Sequence, residues 1–323
     1  MAGRATTKLA TVLCGLLATG VIAMASDDNS PLFKSSIDLV ALNVVVTDAQ
    51  QKPVNGLTAE KFAVFEDGVQ QELTFFATSQ VPLDLALLLD TSASMTDKMK
   101  TMQEAAVGFA STLRDGDRVT IVDVKDNVKV VHPLDGDVEA ARAAIRATSA
   151  RGGTAIYNAL YMTLKEMARQ RKGTEDVRRQ AVAVLSDGDD TASLVAFDDV
   201  MDLAKQAGVS IYTITLKSEL DLRQASAGGR RYFSNGEFSM KALAQETGAR
   251  AFFPTSIGEL SGVYDSIAQE LASQYALGYT SKNPKRDGAY RRVIVQLVDQ
   301  PGARTRTRGG YVSPRPERVA VLQ

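Results

Sequence analysis

One run, Val81-Pro82-Leu83-Asp84-Leu85-Ala86-Leu87-Leu88-Leu89, constrains this chain more than any other stretch. Its length and near-continuous hydrophobicity are those of a strand buried on both faces, as in a parallel sheet covered by helices. After it, Met99, Met102, Ala106, Phe109 and Leu113 recur at three- and four-residue steps and lay one apolar stripe along a helix. Between strand and helix stands the polar turn Asp90-Thr91-Ser92-Ala93-Ser94. Ligands of parallel α/β sheets collect at the carboxyl ends of the strands. A carboxylate and two serine hydroxyls at such a place, with no lysine or histidine among the five residues, suit a hard divalent cation. Mg²⁺ takes oxygen ligands, sheds water reluctantly and is usually held by only one or two protein carboxylates. The same residues also fit an ordinary helix start, because Ser94-Met95-Thr96-Asp97 has the spacing of a capping box and aspartate is common in turns. The five residues alone are compatible with both readings.

Two later stretches bear on that choice. Arg151-Gly152-Gly153-Thr154-Ala155 is a glycine-rich turn that puts a hydroxyl at the entrance of a helix running to about residue 170. Gln180-Ala181-Val182-Ala183-Val184-Leu185 reads as a second buried strand and ends in Ser186-Asp187-Gly188-Asp189-Asp190. Three oxygen-bearing turns thus recur at topologically equivalent places. Their pattern, D-x-S-x-S, then a threonine, then an aspartate after a later strand, resembles the metal-ion-dependent adhesion site of the von Willebrand factor type A (VWA) family. The matching positions are Asp90, Ser92, Ser94, Thr154 and Asp187, and the resemblance covers roughly residues 81–274. Ala93 stands where many relatives carry glycine, a departure that leaves each ligand position intact. The resemblance implies one Mg²⁺ (or Mn²⁺) on these five residues and a partner protein whose exposed Asp or Glu completes the coordination. Arg151, beside the threonine turn, is placed to steer an acidic surface toward them.

Periodicity predicts strands at 82–90, 118–124, 128–134, 180–186, 210–217 and 249–254. Helices are expected near 97–114, 137–148, 155–170, 194–208, 238–247 and 257–273. That order gives an α/β fold with a doubly wound, mostly parallel six-stranded sheet, Rossmann-like in plan. The strand at 128–134 follows Asp126-Asn127 closely enough to form a hairpin and so to be an antiparallel edge.

The flanks read as all-β, with strands at 37–48, 62–66 and 70–76 and again at 275–280, 290–297 and 303–311. Asp67-Gly68 is a hairpin signal, and Arg304, Arg306 and Arg308 fall on one side of the last strand. Neither flank has enough strands to bury a core comfortably alone. The expected organisation is a signal peptide at 1–25, a β segment at 26–80, the VWA domain at 81–274, and a C-terminal β segment at 275–323. The last pairs with 31–80 in a small all-β, sandwich-like domain into which the α/β part is inserted. The flanks resemble exported bacterial VWA-related proteins at Val54-Asn55-Gly56-Leu57-Thr58, Phe65-Glu66-Asp67-Gly68, Tyr275-Ala276-Leu277-Gly278-Tyr279 and Gly309-Gly310-Tyr311.

At the start, Arg4 and Lys8 precede an apolar stretch that ends Ala23-Met24-Ala25, the pattern of a secretory leader with its cleavage site. Gly15 and Gly20 interrupt it, and it falls short of the about 20 apolar residues a spanning helix needs. The expectation is export, to the periplasm or beyond, with no transmembrane span in the mature chain. Cys14, the one cysteine, leaves with the leader, so disulfide and thiol chemistry are excluded. The 37 basic and 38 acidic residues nearly cancel, which argues against a nucleic-acid partner.

Catalytic signals are sparse. His132 is the one histidine and stands on the expected edge strand, where a structural role suits it. The chain has no G-x-S-x-G elbow and no phosphate loop or H-E-x-x-H. An aspartyl phosphotransferase built on Asp90 would be expected to carry a second aspartate where Ser92 stands. Asp189 and Asp190 read as a solvated acidic helix start. The expected function is an exported, divalent-metal-dependent protein-binding (adhesion or assembly) module and not an enzyme. The alternatives are a metal-dependent hydrolase acting on phosphate esters or peptides, and an assembly subunit whose metal only stiffens its loops. The 218–238 loop carries Arg230-Arg231-Tyr232-Phe233 between Gly228-Gly229 and Asn235-Gly236. It is expected on the metal edge, where it would help choose the partner.

Overall fold

The computed structural model describes residues 39–78, 81–172, 177–187, 190–216 and 234–315. The leader at 1–25, Asp189 and the Arg230–Phe233 cluster lie outside the described residues. The N-terminal flank supplies β1 (Leu39–Thr47), β2 (Phe62–Glu66), β3 (Val69–Gln71) and β4 (Leu73–Ala77). Asp67 and Gly68 join β2 to β3 with φ of 47° and 84°, the left-handed pair that a tight hairpin of native twist requires.

The inserted part then runs β5 (Leu83–Asp90), α1 (Met99–Ala110), β6 (Arg118–Val124), β7 (Lys129–Asp135), α2 (Val138–Ala147) and α3 (Ile156–Lys172). It continues with β8 (Arg179–Ser186), α4 (Phe197–Ala207), β9 (Ser210–Thr215), α5 (Asn235–Glu246), β10 (Ala251–Phe252) and α6 (Leu260–Ser273). Its sheet has the order β10-β9-β8-β5-β6-β7, parallel throughout except for β7, which pairs antiparallel with β6. Every residue of β5 is buried. Leu83, Leu85, Leu87 and Leu89 face α1, α2 and α6, while Ala86 and Leu88 face α3, α4 and α5, so one strand feeds two cores. Asp84 is the polar exception inside this run, and Arg118 and Arg178 neutralise it at 2.7 Å each.

Several local bounds change: the strand expected at 249–254 covers only Ala251–Phe252, and the helix expected from 194 begins at Phe197. The helix expected from 238 begins at Asn235, because Ser234 and Glu237 form a reciprocal capping box. The helix expected from 97 begins at Met99, after a 3-10 turn over Ala93–Lys98, and no side chain caps either start.

The C-terminal flank gives β11 (Tyr275–Thr280), β12 (Tyr290–Leu297), β13 (Arg304–Arg306) and β14 (Gly310–Val312). Together the flanks form two four-stranded sheets, β13-β1-β11-β4 and β14-β12-β2-β3. Val40, Leu42, Val44, Val64, Leu277, Tyr279 and Val293 are among the residues buried between them. The single strands expected at 70–76 and 303–311 are each two. β3 pairs with β2 but β4 with β11, and β13 pairs with β1 but β14 with β12. Strands that change sheets at a bend form the corners of a sandwich, and Glu72 and 307–309 are those bends.

Candidate metal centre

Parallel pairing brings the carboxyl ends of β5, β6, β8 and β9 to one edge of the sheet. Asp90 is the last residue of β5 and is fully buried. Its Oδ1 accepts the Ser92 amide at 2.9 Å, and its Oδ2 accepts the Ser186 hydroxyl at 2.6 Å. Burial pushes the Asp90 carboxyl above its ordinary pKa. The Ser186 and Ser92 hydrogen bonds oppose that shift, and the nearby Asp187 adds to it.

From Asp90 a string of oxygens crosses to the β8 turn. Ser92 Oγ and Ser94 Oγ are 3.0 Å apart, and Ser94 Oγ donates to Asp187 Oδ1 at 2.7 Å. The other Asp187 oxygen pairs with the ammonium of Lys98. Ser94 therefore serves the aspartate after β8 and does not cap α1, so its capping-box spacing is not used as a cap. Thr91 reaches sideways, donating from Oγ1 to Asp123 at the end of β6, and Asp123 is itself paired with Lys125 at 2.9 Å.

Thr154 reaches the same edge on the glycine turn. The Ala93 amide donates to Gly152 O at 3.0 Å and the Arg151 amide to Thr91 O at 2.9 Å, so the two turns are laced together. Gly153 N donates to Asp126 Oδ1 at 2.6 Å. The approach is close enough that a Cβ at position 152 would meet Asp126 Oδ2 at 2.2 Å, and Gly152 also has φ of +71°. Thr154 is 5% exposed and its backbone is fixed from both sides. Its amide donates to Thr191 Oγ1 at 3.1 Å, and its carbonyl accepts the amides of Thr191 and Ala192. Its hydroxyl makes no hydrogen bond to any described residue.

Asp90, Ser92, Ser94 and Asp187 thus form one connected string, and Thr154 stands on the turn laced to it. Asp190 is elsewhere employed. It accepts the Tyr157 amide at 2.9 Å and the Ser193 hydroxyl at 2.6 Å, so it caps α3 across the loop and is not a solvated acid on its own helix. His132 is buried on β7, with Nε2 2.9 Å from Asp135 Oδ1. Ser186, Asp126, Lys98 and Asp123 complete the environment. Ser186 adjoins a ligand position in the sequence, whereas Lys98, Asp123 and Asp126 carry no sequence signal for this role.

The donor set is two carboxylates and three hydroxyls, all hard oxygens, which fits Mg²⁺ or Mn²⁺ and is poor for softer metals. Among the described residues no three of His, Cys, Asp and Glu are grouped to hold a metal, so a site here depends on hydroxyls.

A family model of the von Willebrand factor type A domain matches residues 84–265. Over 113 residues the chain is 34% identical to an uncharacterised protein of Synechocystis, covering 34% of this chain and 26% of that protein. It is 23% identical over 226 residues to a UPF0353 protein of Nocardia farcinica, covering 64% of this chain and 66% of that one. The chain therefore spans about a quarter of the first relative's length and just under two thirds of the second's. Among solved structures it is similar to a von Willebrand factor type A protein from Catenulispora acidiphila. The TM-score is 0.48 and the identity 13%, with 88% of this chain and 76% of that chain covered. The vWF domain of the type V pili tip protein Mfa5 from Porphyromonas gingivalis gives a TM-score of 0.45 at 15% identity, covering 58% and 94%. With the family model spanning more than half of its length, the chain belongs to the von Willebrand factor type A family.

Proposed function

We propose that this chain is an exported, divalent-metal-dependent protein-binding module with an adhesion or assembly role. In this reading Asp90, Ser92, Ser94, Thr154 and Asp187 hold one Mg²⁺ or Mn²⁺, and an exposed Asp or Glu of a partner protein engages it. The observation that supports the reading is the string from Asp90 through Ser92 and Ser94 to Asp187, with the Thr154 hydroxyl, which bonds to no described residue, on the turn beside it. When bound, the ion supplies a Lewis-acidic position suited to a carboxylate oxygen. The chain's own residues set that position. Asp90 and Asp187 supply the negative charge, the three hydroxyls supply neutral oxygens, and the Gly152-Gly153 turn holds Thr154 in place. Five protein oxygens would leave room on the ion for one further ligand.

Export rests on the 1–25 leader. Among the described residues no helix is long and apolar enough to cross a membrane. A hydrolytic reading would need a general base at the turns. His132 lies on the edge strand and Asp190 is bound to the start of α3, which favours binding over turnover.

Titration calorimetry with Mg²⁺ and Mn²⁺ tests the site. Wild type should bind one ion, and the Asp90→Ala/Asp187→Ala double variant should bind none. Equal binding by both proteins would overturn the assignment.

A further inference from the structure

The alternating arginines of the C-terminal flank are not used by the metal centre. Arg304 and Arg306 both line a cavity of about 480 Å³ where the sandwich meets the α/β sheet, and Arg250 joins them from the other side. None of the residues lining the cavity belongs to the turns of Asp90, Thr154 and Asp187. Arg250 precedes β10 and, by the register of Ala251 with Thr213, stands level with the middle of β9.

The three guanidinium groups are not equivalent. Arg306 is fully engaged, donating to Gly248 O at 2.7 Å and pairing with Glu270 Oε2 at 2.5 Å. Glu270 is buried, and its other oxygen accepts the Tyr212 hydroxyl at 2.7 Å, so its charge and its lone pairs are taken. Arg250 forms an ion pair with Glu270 at 4.0 Å, beyond hydrogen-bond reach, and its guanidinium carbon lies 4.8 Å from the centre of the Phe252 ring. Neither contact takes up its N–H donors in a hydrogen bond. Arg304 makes no ion pair or side-chain hydrogen bond with any described residue. The one other carboxylate lining the cavity, Asp48, is turned to its own loop, where Oδ1 accepts the Gln50 and Lys52 amides at 2.9 Å each.

Two guanidinium groups with donors to spare therefore border one polar cavity, one from each half of the molecule. We propose that this cavity binds a small ligand bearing a carboxylate or phosphate oxyanion, held between Arg250 and Arg304. A guanidinium fork matches such an oxyanion with two parallel hydrogen bonds. The volume falls within the roughly 300–1,000 Å³ of small-molecule sites. Because Arg250 belongs to the α/β sheet and Arg304 to the sandwich, the ligand fastens one to the other.

Calorimetric titration of the full mature chain at constant ionic strength tests this, with inorganic phosphate in one arm and succinate in the other. Saturable binding of at least one is expected, and which arm responds distinguishes phosphate from carboxylate recognition. Arg304→Gln and Arg250→Gln should each weaken that binding tenfold or more. Arg304 has no side-chain hydrogen bond or ion pair to lose among the described residues, so its variant should fold. Lys165→Gln, which removes an exposed cation on α3, should leave the affinity unchanged. Absence of binding in both arms, binding retained by both arginine variants, or an equal loss in Lys165→Gln would overturn the proposal.

Discussion

Lys98 pairs with Asp187 across the gap between the β5 and β8 turns, on the carboxylate oxygen that Ser94 leaves free. An ammonium thus occupies the aspartate that the proposed metal site needs. Metal binding at Asp187 has to displace this pair. The Lys98 side chain is 31% exposed but that of Asp187 only 2%, so the pair is more shielded than a surface ion pair. Lys98→Met is therefore expected to tighten Mg²⁺ binding by at least about twofold, the scale of an exposed pair. Calorimetry on the two proteins reads the difference. An unchanged or weaker affinity in the variant would show that Lys98 does not compete.

Asp90 carries a second expectation, with a definite sign. Burial raises its folded-state pKa above the unfolded value, so the folded protein holds that proton more tightly. The ionised form then opposes folding. Its penalty is absent below the unfolded carboxylate pKa and fully developed above the raised folded value. In chelator at neutral pH, Asp90→Asn should be at least as stable as wild type, while wild type alone should gain stability from added Mg²⁺. Thermal unfolding with and without Mg²⁺ measures both effects. A variant that Mg²⁺ still stabilises as much as wild type would contradict the ligand role.

The glycine turn predicts a non-additive pair. In Gly152→Ala the new Cβ meets Asp126 Oδ2 at 2.2 Å and the backbone keeps its left-handed φ. The left-handed conformation alone costs an alanine roughly 1–2 kcal/mol, and the clash adds to it. Asp126→Ala removes the clash but also the acceptor of the Gly153 amide. The double variant should therefore be less destabilised than the sum of the singles, as expected when residues touch. Denaturant midpoints of the four proteins give the coupling, and simple additivity would argue against this packing.

Much of the architecture is legible in the sequence because periodicity reports local burial. The β5 run, the α1 stripe and the Asp126-Asn127 hairpin before β7 all read correctly for that reason. The bends at Glu72 and 307–309 do not, since a strand that changes sheets keeps an unbroken extended pattern. At the centre, the oxygen donors are visible as residue types at strand ends. Their neighbours are not: Lys98 meets Asp187 across 89 residues of chain, and Gly153 meets Asp126 across 27. Asp84 looks like a flaw in an apolar run until Arg118 and Arg178 arrive from distant segments.

The pairing of the flanks gives a prediction about folding. Both neighbours of β11 in its sheet, β1 and β4, come from the N-terminal flank, as does β2, which pairs with β12. A chain lacking 31–80 leaves β11 unpaired and β12 with β14 alone. Limited proteolysis should then cut within 275–312, whereas residues 81–274 expressed alone should remain folded as a domain. Protected C-terminal strands in the shortened chain would refute this division.

Thr154 separates function from stability. Its hydroxyl makes no hydrogen bond to a described residue, while its backbone is held by Thr191 and Ala192. Thr154→Val keeps the volume and the β-branch, so little stability should be lost, within about 0.5–1 kcal/mol. As a metal ligand, however, the hydroxyl should be missed. Altering even the outer-shell groups that support a metal site costs about 10–100-fold in affinity, and a loss of at least about tenfold in Mg²⁺ affinity is expected here. The same loss should carry through to the partner. Once a partner is captured in Mg²⁺, its acidic residues can be changed singly to the matching amides, and one of them should weaken binding as chelator does. A Thr154→Val protein that keeps its metal affinity would remove this residue from the ligand set. Partner binding that survives chelator, or that no single acidic substitution weakens, would sink the metal-bridged contact.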